Sequence, residues 1–294
     1  MSARIGSYER RVGWLASPML LATLVLVAAP FVLTFVLAFT HYDALTSPRP
    51  AGIQNFRRLV SDPLFRLSLS NSLIFVAMAV PLRLLAATGT ALLYARRRRG
   101  VVAGRGITYL PSVVPDIAFA LLWLWVLNPV FGPIAQLLRA VGLPGTEWLL
   151  GPWGARVSVV ILTLFQIGEG FIVALAARND IPGELYELAE LERAGPWFTF
   201  RRVTLPMMAP VLVLLAARDV AFSFQVNFVP ALVLTGGDPF YATLFLPLYT
   251  YQNAFSFLRF GYASAMTVAM WLVTAAMIGV ALLAVRRWRE AFAG

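Results

Sequence analysis

The chain has 294 residues, 60% hydrophobic and only 13% charged, where a soluble domain carries roughly 25% charged residues. That balance excludes a soluble globular fold and calls for an integral membrane protein. The formal charge of +10 comes from 24 basic residues, all of them arginine; cysteine is absent and His41 is the single histidine, which excludes disulfides, thiolate metal sites and histidine clusters. Arginines scattered between apolar runs set membrane topology rather than mark a nucleic-acid surface.

Arg4, Arg10 and Arg11 precede an uncharged run from Val12 to Thr40. At about 1.5 Å per residue the run exceeds a hydrocarbon core of roughly 30 Å, and it is too long for a signal-peptide core, so it is expected to be a retained first span. Further spans are expected near 68–95, 106–128, 153–178, 206–232 and 262–285. Together they make an all-α membrane domain of six helices over 12–285, between tails at 1–11 and 286–294. Outside the spans, Ser47 to Asp62, with Pro48, Pro50 and Gly52, reads as a turn and a short surface segment. Asn128-Pro129 and Gly132-Pro133 open a second irregular loop, and the stretch from Leu234 through Gly236-Gly237 joins a turn to a row of aromatics.

Five charges fall within the spans: Arg83, Asp116, Glu169, Arg218 and Asp219. Each costs at least ~2.5–3.5 kcal/mol at mid-bilayer, so they must pair with one another or face a wet cavity. Gln166 lies three residues before Glu169, which puts both polar groups on one helix face. In the fifth span Val220, Ser223, Phe224 and Asn227 also share a face, which mixes a ring, a hydroxyl and an amide.

The long polar segment from Glu184 to Pro210 reads as two short helices. Asp180 and Pro182 start the first, Leu185, Leu188 and Ala189 recur at helical spacing, and Gly195-Pro196 opens a second over Trp197–Val203. That second helix is expected to end before Leu205-Pro206, because a residue preceding proline is pushed from helical geometry. Arginines fix the orientation. There are three in the N-terminal tail, five in 96–105, four from Arg178 to Arg202 and three in 286–289, against Arg49, Arg57, Arg58, Arg66, Arg139, Arg156 and Arg259 in the other loops. Positive charge concentrates in cytoplasmic loops, so both termini and the polar segment are expected inside.

The polar segment resembles the EAA loop of membrane subunits of binding-protein-dependent ABC importers. Glu187, Leu188 and Ala189 stand for its first triplet, Glu192 for its aspartate, Ala194 for its next alanine, and Val203, Leu205 and Pro206 for its end; Arg193 replaces its glycine. The segment at Thr235-Gly236-Gly237 is similar to the T-G-G-G-P segment of the carbohydrate-type permeases, with Asp238 in place of a glycine. VPLRLLAATGTALLYA, GITYLPSVVPDIAFALLWLWVLNPVFGP and GYASAM at 261–266 are also similar to that subgroup.

The resemblance implies a type I ABC importer permease fold with a cytoplasmic coupling loop over 179–205. Glu184, Glu187, Leu188, Ala189, Glu192, Arg193, Ala194, Gly195, Leu205 and Pro206 would form the ATPase-coupling surface. Gln166, Glu169, Val220, Ser223, Phe224 and Asn227 would lie on the substrate path. The fifth-span face suits a sugar, whose hydroxyls want donors and acceptors and whose C–H faces pack on rings, and equally suits a packed interface with interhelical hydrogen bonds. Implied partners are a second permease subunit, two ATPase subunits and an extracytoplasmic sugar-binding protein, in the inner membrane. This chain is expected to hold no cofactor or metal and to be no enzyme: without lysine it has no G-x-x-x-x-G-K loop, so ATP and Mg would belong to the ATPases. Two rivals are a proton-coupled transporter relaying through Glu169, Asp116 or Asp219, and a membrane enzyme acting on lipid-linked sugars.

Overall fold

The computed structural model describes residues 14–95, 100–143 and 148–293, with side chains to Leu283. The expected N-terminal tail and Arg96–Arg99 lie outside the described residues, as do the side chains of the expected C-terminal tail. Four helices are long and apolar enough to cross a membrane: α1 (Trp14–Ala38), α3 (Pro63–Ala95), α10 (Pro196–Leu234) and the Phe260–Leu283 part of α12 (Phe260–Ala293). Two bent pairs raise the number to six if each is one span: α4 (Val101–Val113) with α5 (Asp116–Val126), bent by 101°, and α7 (Pro152–Leu164) with α8 (Gly168–Asn179), bent by 50°. The shorter elements are β1 (Thr40–His41), β2 (Arg49–Pro50), α2 (Gln54–Ser61), α6 (Pro133–Ala140), α9 (Gly183–Leu191) and α11 (Leu246–Tyr251).

Two compact units result, one of residues up to Asp62 with Thr250–Trp271, the other of Pro63–Tyr249 with the chain from Leu272. In the first unit α1 carries large apolar side chains on all sides, as a lipid-facing helix does. Its Phe31 meets Trp271 of α12 edge-on, with ring centroids 4.8 Å apart. Past the end of α1, the buried Asn55 of α2 donates to the carbonyls of Ala38 and Thr40, both at 2.9 Å. β1 and β2 pair antiparallel with Thr40 opposite Pro50, and the Gly261 N–H donates to the Tyr42 carbonyl at 3.1 Å.

The second unit is framed by α3. Its buried positions Ser68, Asn71, Ser72, Phe75, Val76, Ala79, Val80, Arg83, Ala87 and Ala91 recur at spacings of one, three and four residues, a stripe that stays on one face for about six turns. α8 packs along the later part of that stripe through small residues, Ala87 and Ala91 with Ala174 and Ala177, which let the backbones approach. Phe171, Met208 and Leu212 complete this core, while Phe119, Trp123, Leu162 and Leu234 form another where α5 meets α7 and α10.

Three expected boundaries differ from the structure. The span expected at 106–128 breaks after Val113, because Val114 precedes Pro115 and is driven to an extended ψ of 131°. The span expected at 153–178 breaks at Phe165–Ile167 without a proline. There Gly168 runs so close to Ser112 that an added Cβ would meet its Oγ at 2.5 Å. Lastly, the second helix of the polar segment does not end before Leu205-Pro206 but runs unbroken into the fifth span as α10. A proline ring collides with the carbonyl four residues back and offers no N–H. A π turn over Phe200–Thr204, closed by the Leu205 N–H on the Phe200 carbonyl, widens the helix and absorbs that defect. The same device, Leu24–Ala28, precedes Pro30 in α1.

A methyl group at Gly261 would sit 2.0 Å from the Thr40 carbonyl oxygen, a backbone atom that cannot rotate away. Gly261→Ala is therefore expected to destabilise the protein by about 1–3 kcal/mol, the usual cost of overpacking. Gly279→Ala, with open space around it, serves as the neutral control. Unfolding temperatures in detergent check this, and equal values for the two variants would refute the close contact.

Candidate functional site

The broken helices create the site. Each break exposes a fresh helix N-terminus inside the second unit, and each new helix places an acid in its first turn: Asp116 in α5 and Glu169 in α8. An N-terminus is the positive end of the helix dipole, so carboxylates are stabilised there. The two breaks are also tied to one another. Ser112 Oγ accepts the Gly168 N–H at 2.9 Å, and the Gln166 side-chain amide donates to Asp116 Oδ1 at 3.1 Å.

The straight helices α3 and α10 supply the cations. Arg83, on the buried stripe of α3, bridges to α10 with Nε 3.0 Å from Asp219 Oδ2. Its Nη2 donates to Ser223 Oγ at 2.5 Å, and that hydroxyl donates in turn to the Asp219 carbonyl at 2.6 Å. The second pair joins Arg218 of α10 to Glu169 of α8, with the guanidinium stacked 4.4 Å from the Phe222 ring centre. The pairs differ in solvation: side-chain exposure is 8% and 21% for Arg83 and Asp219, against 39% and 62% for Arg218 and Glu169. The first is a fixed internal strut, the second an open pair that solvent or a ligand can reach.

All five intramembrane charges, with Gln166, line one open cavity of about 250 Å³. The choice between mutual pairing and a wet cavity is thus resolved as both: four of the charges pair and all five face the same space. Leu84, Ala87, Ser112, Thr163, Phe222 and Val226 are among the other lining residues. Phe222, four residues after Arg218, was accessible from helical spacing; Ser112 and Thr163 depend on where the breaks fall and carry no sequence signal.

The other candidate residues divide. Gln166 sits in the break itself, so it shares no continuous helix face with Glu169, yet both reach the cavity. Val220, Ser223, Phe224 and Asn227 do share a face, but it is buried and turned away from the cavity, which meets the opposite neighbours Asp219, Phe222 and Val226. Asn227, where α10 is interrupted, is fully buried with neither amide atom hydrogen-bonded among the described residues.

In the polar segment, α9 carries Glu184, Glu187, Leu188 and Ala189 and ends in a Schellman cap. The Ala194 N–H reaches the Ala189 carbonyl at 2.8 Å and the Arg193 N–H reaches that of Glu190 at 2.9 Å. Arg193 takes the left-handed cap position with φ of 52°, the conformation for which glycine is normally used. Glu192 is the residue before it, and Gly195 caps the start of α10. Leu205 and Pro206 lie within α10, where Leu205 packs on the core around Met208. Tyr186 anchors the segment: its hydroxyl pairs with Thr204 Oγ1 at 3.0 Å, and Arg178 lies 4.1 Å over its ring. Leu188, Leu191, Trp197 and Phe198 are left exposed beside the exposed Glu184 and Glu187.

Apolar helices around a charge-lined cavity, with spans broken beside it, define a multi-spanning membrane protein of the transporter class. The chain belongs, more particularly, to the family of binding-protein-dependent transport system inner membrane components, whose pattern matches residues 83–290. It is 30% identical over 265 residues to the probable ABC transporter permease protein YesP of Bacillus subtilis (strain 168), covering 87% of this chain and 84% of that one. With the sulfoquinovosyl glycerol transport system permease protein SmoG of Agrobacterium fabrum it shares 28% identity over 280 residues, 91% of each chain. The fold matches a chain in the crystal structure of a bacterial ABC transporter involved in the import of the acidic polysaccharide alginate. That match has a TM-score of 0.82 and 23% identity, over 97% of this chain and 99% of the other. The protein is accordingly a transport subunit of the inner membrane and not an enzyme.

Removing one member of a buried ion pair leaves a bare charge, at a cost of about 3–5 kcal/mol, whereas replacing both with apolar groups can be nearly neutral. Arg83→Leu and Asp219→Leu are each expected to lower stability by that order, and the double variant by clearly less than their sum. Denaturant titration of the purified protein measures it; additive losses would show that the two side chains do not act as a pair.

Proposed function

We propose that the chain is one membrane subunit of an ATP-driven importer that passes a sugar or related polyol from an extracytoplasmic binding protein to the cytoplasm. The observation that carries the reading is the cavity. Gln166 and Arg218 offer donors, Asp116 and Glu169 offer acceptors, and the Phe222 ring lies among them, the mixture a polyhydroxylated ligand needs. The sugar-linked names of relatives such as SmoG support the same class. A cargo path along Gln166 and Glu169 leaves Val220, Ser223, Phe224 and Asn227 as the packed wall behind Asp219.

In this reading a second permease completes the pathway, two ATPases holding ATP and Mg dock inside, and the binding protein delivers cargo outside. α9 and the start of α10 form the docking surface, with Glu184, Glu187, Ala189 and the exposed Leu188 and Trp197 as contacts. ATP-driven movement of that surface reaches the cavity through Tyr186 and the shared core of α3, α8 and α10, alternating access between the two sides. A proton-coupled mechanism is not favoured by the family.

Glu187→Lys reverses an exposed contact charge outside the packed core. With the complex reconstituted from its cognate ATPases and binding protein, the variant is expected to insert normally but lose cargo-stimulated ATP hydrolysis. Stimulation at the unaltered level would remove α9 from the coupling path.

Orientation is checked on a chain with no native cysteine. Cysteine is introduced singly at Ser47, Val141, Glu184 and Glu190, and an impermeant thiol reagent is applied from outside. Labelling is expected only at 47 and 141; reaction at 190 would place the docking surface on the wrong side.

A further inference from the structure

A second cavity lies wholly within the unit formed by residues up to Asp62 and Thr250–Trp271. It measures about 500 Å³, and three arginines enter it from separate elements: Arg49 from β2, Arg58 from α2 and Arg259 from the turn before α12. None of the three has a carboxylate partner among the described residues. The acid in the lining, Asp43, is engaged by its own loop, its Oδ1 accepting the Thr46 and Leu45 N–H groups and the Thr46 hydroxyl at 2.8, 3.0 and 3.0 Å. Those bonds, the Thr46 N–H first, hold its carboxyl below the ordinary carboxylate range.

The cavity is built on fixed groups. Asn55 is locked to the end of α1 as described above. Tyr262 is buried, donates to Asp62 Oδ2 at 2.6 Å, and carries the Arg58 guanidinium 4.5 Å over its ring. Its depth is set by the chain: α1 ends at Ala38 and α12 begins at Phe260, so the cavity opens where two candidate membrane spans end. Leu258 in its lining is held at φ of 52°, and Phe255, Phe257 and Ile53, close in the chain to lining residues, are exposed. Exposed apolar side chains beside the ends of apolar spans can be covered by acyl chains, which water cannot do.

We propose that this cavity binds the phosphate of an anionic phospholipid. Arg49, Arg58 and Arg259 surround the phosphodiester, each able to donate two hydrogen bonds in its plane, while the acyl chains run over the exposed apolar side chains. Inorganic phosphate offers the same anionic oxygens but nothing for those side chains, and the cavity's placement at span ends favours a lipid over a soluble anion.

The purified full chain, in a non-ionic detergent, is titrated separately with phosphatidylglycerol, phosphatidylcholine and inorganic phosphate, with binding read by native mass spectrometry. Phosphatidylglycerol is expected to bind at least tenfold more tightly than phosphatidylcholine. Arg58→Gln and Arg259→Gln should each weaken it by about tenfold or more, the scale of a lost charge-assisted hydrogen bond. Arg57→Gln removes an equal charge from the exposed side of the same helix, outside the cavity, and should change nothing. Unfolding temperatures in phosphatidylcholine alone establish that each variant is folded. Where Arg58→Gln is not, Arg58→Lys, which keeps the charge but not the planar fork, should still lose several-fold. Equal binding of the two lipids, an Arg57→Gln loss as large as that of Arg58→Gln, inorganic phosphate binding as tightly as the lipid, or displacement of the lipid by a polyglutamate peptide would each overturn the proposal.

Discussion

A guanidinium inside a membrane protein cannot be left without a counter-charge, and the second unit is arranged around that requirement. Arg83 sits on the face of α3 that the rest of the unit packs against, so its partner has to come from a neighbouring helix. Asp219 and the Ser223 hydroxyl, one turn apart on α10, satisfy it and thereby set the register of α10 against α3. Pairs of this kind add little net stability, because desolvation offsets most of the attraction; their effect is to specify one arrangement over its neighbours. Sliding either helix by one turn would strand both charges.

The broken spans follow a related logic. A bent helix inside a membrane exposes N–H groups that lipid cannot satisfy, so a break is tolerated where protein or a wet cavity covers it. Here the breaks cover each other. The Gly168 N–H finds the Ser112 hydroxyl, Gln166 finds Asp116, and the two new N-termini hold the two acids that line the cavity. The polar space and the irregular backbone are thus one feature: each makes the other permissible.

Much of this was legible in the chain and some was not, for identifiable reasons. The first span was evident because an uncharged run admits one interpretation; its helix ends at Ala38 where the run reaches Thr40. α3 starts at Pro63 rather than near 68 because the exposed Arg66 interrupts the apolar run without interrupting the helix. Pro115 lay inside the span expected at 106–128 and carried a local signal for its break that the apolar run masked, whereas the break at Phe165–Ile167 coincides with the approach of Ser112 to Gly168, a contact between residues far apart in sequence. The five charges were identifiable singly, but which would pair with which is a property of packing. Val220, Ser223, Phe224 and Asn227 illustrate the same limit: periodicity establishes that they share a face, not what the face meets.

The cap of α9 has an energetic consequence. A residue with a Cβ in the left-handed conformation costs roughly 1–2 kcal/mol, which glycine at position 193 would avoid. Arginine there sets a positive charge against the negative end of the helix, returning about 0.3–1 kcal/mol. The return offsets only part of the cost, the cap hydrogen bonds carrying the rest, and because it is electrostatic it diminishes as salt rises while the steric cost does not. A helix end of this kind loosens with ionic strength, and an anionic partner brought beside Arg193 would act on the same small difference, making the conformation of the cap a variable set by its surroundings.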